Sequence, residues 1–397
     1  MLERIVVTGY GIISSLGVGV EANKNALLEG RKAIDRIAYL DTCHRELPCG
    51  EIKMDEAQLR KLAGVPSDAL VTRNPLLAII ALKEAIQRSK LTDAVRTAFV
   101  SGTTVGGMEM SEQYYRDFFE GKHTEYIKAH DCGYGTDYAS RTFGHFDFVT
   151  TISTACSSAA NSIILGAELI KNRRVKAAIV GGSESISKFH LNGFNSLMIL
   201  EHQPCRPFDR DNAGLNLGEG AAYIVLERED VAKERGAEII CELTGYANQC
   251  DAYHQTATSP ESVGECLAMK KALNLAGLYP SDISYINAHG TGTADNDLHE
   301  SIAIKKVFGD QIPPFSSTKS YTGHTTSAAG GLEAVFSILA LQYGFIPGNP
   351  EFEKPIEETG LCPEKVCRKA DLMHVMSNSF GFGGNDSTCI FSKYIDR

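Results

Sequence analysis

T-I-S-T-A-C-S-S-A-A-N-S (residues 151–162) changes character at its centre. An apolar run stops at small polar residues, and a helical pattern begins that continues from Cys156 to Lys171. The junction places the thiol of Cys156 at a helix N-terminus, where unpaired N–H groups and the helix dipole favour thiolate over thiol. A thiolate is the nucleophile that thioester chemistry needs. Ser157, Ser158, Ala159 and Ala160 are all small, so the backbone there is open to a substrate carbonyl. The N–H of Cys156 is then a candidate oxyanion donor. Most cysteines are compact core residues, so the reading turns on what the rest of the chain supplies.

Three later segments supply partners. In N-A-H-G-T-G-T (287–293), His289 leaves a strand-like run for a Gly/Thr turn, the kind of strand end on which sites are built. In S-T-K-S-Y-T-G-H (317–324), His324 follows Gly323 and precedes a helical run, where the positive end of the dipole favours neutral imidazole. Lys319 lies five residues before it. In S-N-S-F-G-F-G-G-N (377–385), three glycines permit close backbone approach, and Phe380 and Phe382 are placed to cover an apolar cavity. A phosphate loop is excluded there because no Lys-Ser/Thr follows. Cys156, His289, Lys319 and His324 together suggest acyl transfer through an enzyme-bound thioester.

Outward from these segments, strand-like and helical runs alternate along the whole chain. Arg4–Thr8, Ala98–Ser101, Ala177–Val180, Ala222–Leu226, Ile283–Ala288, Pro314–Thr318 and His374–Ser377 read as strands. Several are continuous Val/Ile/Ala runs, which suits burial on both faces. Pro75–Arg88, Cys156–Lys171, Pro260–Ala276, Leu298–Phe308 and His324–Tyr343 read as helices. Such alternation predicts α/β layers. The charged run Leu226–Arg235 ends at Gly236 and reads as a link. It divides the chain into residues 1–235, with the nucleophile, and 236–397, with both histidines. Residues 108–147 are polar, rich in Tyr and His and weakly periodic, and read as an insertion that caps the core or meets another subunit.

Composition closes off other classes. At 397 residues the chain exceeds one simple core, and 43% apolar with 22% charged residues fits a globular protein. A net charge of −10 disfavours a nucleic-acid binder. The opening M-L-E-R-I-V-V-T-G-Y does not read as a secretion signal, and no stretch reaches the ~20 apolar residues that span a bilayer. Leu76–Leu82 is short and reads as a buried helix. Eleven scattered cysteines without a C-x-x-C read as reduced core thiols of a cytoplasmic protein rather than disulfides or zinc ligands, Cys362 and Cys367 included.

The motifs V-T-G-Y-G, A-C-S-S, G-G-S-E, R-P-F-D-R-D-N-A-G-L-N-L-G-E-G-A, N-A-H-G-T-G-T, K-S-Y-T-G-H and G-F-G-G stand in order over nearly the whole chain. In them the chain resembles the β-ketoacyl-acyl carrier protein synthases of the elongating (type I/II) class. The resemblance implies a thiolase-like α/β fold, with two similar halves in five αβαβα layers, and a homodimer. It implies decarboxylative Claisen condensation of malonyl-carrier protein with an acyl chain on Cys156, in fatty acid elongation. His289 and His324 match the pair that promotes decarboxylation and stabilises the enolate. Lys319 matches the family lysine, and Glu300 the carboxylate that pairs with it. Phe382 matches the gating aromatic whose N–H completes the oxyanion hole. Thr291 and Thr293 match hydroxyls that hold the phosphopantetheine arm, and Val105 and Phe194 match the lining of the acyl pocket. Acyl carrier protein is the implied partner, and no metal or redox cofactor is implied.

The chain departs from that pattern in places. Ala294 stands where elongating synthases usually have Pro, Met198 where an Arg is common, and Asn385–Asp386 where the family has Thr-Asn. Lys53, Arg60, Lys61 and Arg73 are candidates for a basic carrier-protein surface. Alternative readings are a specialised polyene or polyketide ketosynthase and a non-catalytic chain-length partner subunit. The presence of Cys156 with both histidines speaks against the partner subunit. A thiolase would need a second reactive cysteine late in the chain, where Cys389 reads as a strand filler.

Overall fold

A computed structural model describes residues 3–212 and 214–396, with Lys128 described by its backbone alone. Met1 and Leu2 of the opening run, Ala213 of the R-P-F-D motif, and Arg397 lie outside the described residues. Ten principal strands are β1 (Ile5–Ser14), β2 (Thr97–Gly102), β3 (Phe148–Ile152), β4 (Ala177–Glu184), β5 (Gly220–Arg228), β6 (Cys241–Cys250), β7 (Tyr285–Asn287), β8 (Phe315–Ser316), β9 (His374–Gly381) and β10 (Asn385–Ser392). They pair in the order β3-β2-β4-β5-β1-β6-β10-β9-β7-β8.

That order is a palindrome in connectivity. On one side β2 runs parallel to β3 and β4, and the β4–β5 and β5–β1 pairs are antiparallel. On the other, β7 runs parallel to β8 and β9, and the β9–β10 and β10–β6 pairs are antiparallel. Among the described residues, the two sets pair strand to strand through Val6 and Val7 of β1 against Glu242 and Cys241 of β6.

Alternation along the strands separates the core into layers. Phe99, Ile179 and Val225 pack with helix α1 (Arg73–Ser89), whereas Ala98, Val100, Ala178, Val180 and Ile224 face the opposite way. Ile286, Met376 and Ile390 likewise pack beneath α5 (Val263–Ala276) and α6 (Ala294–Phe308), whereas Tyr285, Val375 and Phe391 turn inward. Between the two sets lie α3 (Ser158–Lys171) and α7 (Ala329–Tyr343). The result is five layers, αβαβα. Every residue of α7 from Ala329 to Leu341 is buried, as a helix apolar on all sides must be. Gly330 lets α7 meet α3: a Cβ there would stand 2.9 Å from the backbone nitrogen of Ala160.

The helical and strand runs read from the sequence are all present, with shifted ends. The run expected to start at Cys156 starts at Ser158, and the run expected at His324 starts at Ala329 after a 3-10 turn over Thr326–Ala328. At the first, Ser157 and Ser158 hydroxyls donate to the Thr154 and Ala155 carbonyls and delay the helix; at the second, the Ser327 hydroxyl is engaged by Glu184 in the intervening turn. Two strands were not read. β3 follows the weakly periodic insertion, and β6 (C-E-L-T-G-Y-A-N-Q-C) carries polar residues whose partners come from elsewhere, such as Glu242 with Arg4. Within 108–147, α2 (Met108–Phe119) buries none of its residues, and Tyr115 and Phe119 are 63% and 72% exposed.

Candidate active site

Cys156 sits in the turn between β3 and α3. Ala155 before it adopts φ 49°, which turns the chain sharply and presents the side chain. Ser158 Oγ accepts from the Thr154 N–H at 2.9 Å and donates to the Ala155 carbonyl at 2.6 Å, pinning the turn from both sides. The equivalent place in the mirrored strand order, after β8, carries Lys319 and His324. The His324 backbone is held in register by Leu217: His324 N–H donates to Asn216 O at 2.7 Å, and Gly218 N–H to His324 O at 2.9 Å. His289 follows β7. Thus one side of the palindrome supplies the sulfur and the other both imidazoles.

The three side chains converge. His324 Nε2 lies 3.1 Å from Cys156 Sγ. The His289 and His324 rings meet edge to face with centroids 5.4 Å apart. All three residues line one open cavity of ≈ 170 Å³, together with Phe194, Thr291, Thr293 and Phe382. Phe194, on α4 (Lys188–Ser196), stacks on Phe382 at 6.0 Å and 17°. Thr291 and Thr293 hydroxyls bond each other at 2.9 Å at the rim. Val105 is buried but does not line this cavity; its N–H points to Glu184 instead.

Burial sets the protonation states. It pushes the Cys156 thiol up to about 11, against the opposing pull of the Lys319 charge and the Phe382 N–H. The thiolate expected from the helix terminus is therefore not the resting form: desolvation exceeds the dipole's help. The same burial, reinforced by Lys319, holds His289 and His324 well below the ordinary histidine value, so both are neutral at pH 7. Lys319 Nζ lies 3.2 Å from His289 Nδ1 and 2.5 Å from its carbonyl oxygen. An ammonium only donates, so Nδ1 accepts and the ring proton is fixed on Nε2.

Lys319 does not pair with Glu300. Its partner is Glu333 on α7, and both side chains are 2–3% exposed. Glu300 instead accepts the N–H groups of His289 (2.9 Å) and Gly290 (2.7 Å), and an Asn378 N–H at 3.2 Å. It braces the His289 turn from beneath. Glu333 had a readable signal: a lone acid in the uncharged run A-G-G-L-E-A-V-F-S-I-L-A-L (329–341) must find a cation when that run is buried.

Other expectations also change. Arg73 is largely buried and joined to Glu219, Arg60 donates to Glu56 and three backbone carbonyls, and Lys53 is held by Glu51 and the Arg36 carbonyl. Arg73 and Arg60 are thus engaged within the fold, whereas Lys53 keeps 40% of its side chain exposed. Met198, where the sequence lacks an arginine, is 87% exposed at φ 58°. Asp386 lines the cavity beside Asp251 and Asp295. Its Oδ2 is buried without a partner, and burial together with Glu265 pushes the carboxyl up to about 9. Cys389 is a buried residue of β10, as read.

Comparison with known proteins identifies the family of the chain. Residues 2–232 match the model of the beta-ketoacyl synthase N-terminal domain, and residues 240–353 that of the C-terminal domain. The chain is 32% identical to 3-oxoacyl-[acyl-carrier-protein] synthase 2 of Staphylococcus aureus (strain COL), with 99% of each chain covered. Its fold superposes on the ishigamide ketosynthase/chain length factor with a TM-score of 0.92 and 30% identity over 100% of both chains. It also matches a type II PKS acyl-carrier protein in complex with its ketosynthase bound to the hexaketide (TM-score 0.88, 25% identity, 99% and 100% covered). Matched over both domains and carrying a cysteine and two histidines in one cavity, the chain belongs to the β-ketoacyl synthase family.

Proposed function

We infer that this enzyme, a 3-oxoacyl-[acyl-carrier-protein] synthase, extends an acyl chain held on Cys156 with two carbons from malonyl-carrier protein. The observation that carries the reading is the 3.1 Å approach of His324 Nε2 to Cys156 Sγ in the cavity that also holds His289. In the first half-reaction the Cys156 proton passes to His324 as the sulfur attacks the thioester carbonyl. The carrier's sulfur leaves and takes that proton from His324, which returns to its neutral form. The N–H groups of Cys156 and Phe382, both of which face the sulfur, are the oxyanion donors. In the second, the malonyl Cα–carboxylate bond breaks and CO2 departs. The enolate oxygen accepts from the Nε2–H of His289, fixed there by Lys319, and from His324 in the tautomer whose proton stands on Nε2, which the acylated sulfur no longer occupies as a donor. The enolate carbon then attacks the Cys156 thioester and expels the sulfur. Neutral imidazoles suit this task, because they donate to a developing anion without having neutralised it beforehand.

Thr291 and Thr293 at the rim are assigned to the phosphopantetheine arm, and Phe194 and Phe382 to the acyl entrance. Val105, away from the cavity, is assigned to the acyl pocket only through its family position. The boundary between the two halves is proposed at 235/236, a reading that the palindromic strand order supports. A homodimer is proposed through the exposed α2 and the edge strand β3, and light scattering of the purified protein tests it. The cytoplasm is proposed on eleven unpaired cysteines.

Mass spectrometry of acyl adducts over a series of carrier-protein thioesters tests the central reading. An acyl group on Cys156, absent in Cys156→Ala, supports it; no adduct on the intact enzyme returns the non-catalytic partner. Similarity to the ketosynthase/chain length factor favours a second reading, a polyene or polyketide pathway. Preference for unsaturated primers selects that reading over fatty acid elongation.

A further inference from the structure

Glu184 ends β4 and is wholly buried. Its Oε1 accepts from Thr103 Oγ1 at 2.9 Å and from Asn74 Nδ2 at 3.2 Å. Its Oε2 accepts from Thr104 N–H at 2.8 Å, from Val105 N–H at 3.3 Å and from Ser327 Oγ. Two of these donors lead directly to the reacting groups. Ser327 belongs to the 3-10 turn that begins two residues after His324. Thr104 Oγ1 lies 3.4 Å from Ser158 Oγ, the hydroxyl that pins Thr154 and Ala155 immediately before Cys156. One carboxylate therefore touches the Ser327 hydroxyl in the turn after the imidazole and, through Thr104 and the hydroxyls of Thr104 and Ser158, reaches the backbone that presents the sulfur.

We propose that Glu184 is a positioning residue that sets the separation of Cys156 and His324 by tying their two segments to a single rigid acceptor. The inference rests on these two residues being the reacting pair; it does not depend on which acyl chain is extended. A planar carboxylate has two oxygens with about four acceptor sites. Here five donors from three segments use them, so the donors are fixed relative to one another. Even with every donor in place, burial raises the Glu184 carboxyl to about 7, and Ser327 is the donor that most opposes the rise. Misplacement of reacting groups by ~1 Å costs on the order of 100-fold in rate, so loss of this tie reads out in chemistry before it reads out in substrate affinity.

The test uses the full-length enzyme as Glu184→Gln, Ser327→Ala and the double variant. Glutamine keeps the shape but turns one acceptor oxygen into a donor facing donors. Three quantities are measured: single-turnover acyl transfer to Cys156, KM for the acyl-carrier protein, and the rate at which iodoacetamide alkylates Cys156. Glu184→Gln slows acyl transfer by about tenfold or more with KM unchanged, and Ser327→Ala slows it severalfold. The double variant is no slower than Glu184→Gln, because both remove one linkage. Multiplicative losses in the double variant overturn the proposal, as does an unchanged rate in Ser327→Ala. A loss fully recovered on cooling, in step with the melting transition, also overturns it. Should Glu184→Gln fail to fold, Ser327→Ala and its alkylation rate decide alone. Alkylation needs no acyl substrate, so failure of the condensing function and failure of this linkage give different results.

Discussion

Lys319 and Glu333 form an ion pair from which water is almost wholly excluded, with side chains 2% and 3% exposed. The lysine ammonium faces His289 on one side and the glutamate on the other. A buried pair of this kind is costly to break, because the surviving charge has no water to turn to.

Glu333→Ala is accordingly expected to destabilise the fold by ~3–5 kcal/mol, measured by urea unfolding at pH 7.5. Glu300→Ala removes an acceptor from two backbone N–H groups but leaves no buried charge, and is expected to cost ~1–3 kcal/mol. An equal cost for the two would mean that Lys319 finds another partner.

The thiol of Cys156, pushed up to about 11, makes alkylation by a neutral reagent depend on pH in a distinctive way. The thiolate fraction, and with it the rate, rises about tenfold per unit from pH 7 to pH 9 and does not level off there. A plateau near pH 8 would show that the dipole and Lys319 outweigh burial after all.

Asp386 offers a prediction of the opposite kind. Its carboxyl, raised from an ordinary 3.8 to about 9, binds a proton in the folded protein that the unfolded chain releases above pH 4. Folding stability attributable to this group is full below the unfolded value and falls as pH rises toward 9, by up to about 1.4 kcal/mol per unit. Asp386→Asn removes the titration. The variant is expected to gain stability relative to the parent at pH 8, and to gain much less at pH 5. A gain independent of pH would locate the benefit in packing instead.

His289 and His324 titrate with the reverse sign. Held neutral by burial, they take up protons only on unfolding, so their contribution is lost as pH falls below about 6.5. His324→Ala is expected to abolish malonyl decarboxylation while slowing acylation of Cys156 less. Equal loss of both half-reactions would contradict the division of roles.

The backbone motifs around Cys156, His289 and His324 were legible because chemistry at a strand end needs a small-residue turn with one reactive side chain. The alternation of strands and helices revealed the layers because several strands, such as β2, β4 and β5, are buried on both faces. What escaped the sequence was pairing across layers. Glu300 stands before Lys319 and Glu333 after it, and spacing cannot say which of them faces the lysine; the packing of α7 against β9 decides it. Protonation was equally hidden. The helix start at Ser158 was nearly placed, but how deeply Cys156 sinks is a property of the packed α3–α7 pair.

The palindromic strand order has a consequence for how this enzyme fails. The sulfur and the imidazoles arrive from opposite ends of a mirrored sheet whose two arms pair strand to strand, among the described residues, at two positions. A small shift of one arm against the other changes the distance between them and breaks cross-arm contacts such as Ser327 with Glu184 and His324 with Asn216, while every hydrogen bond inside each arm stays intact. Inactivation by mild denaturant or heat should thus precede any loss of secondary structure, and should reverse when the arms settle back.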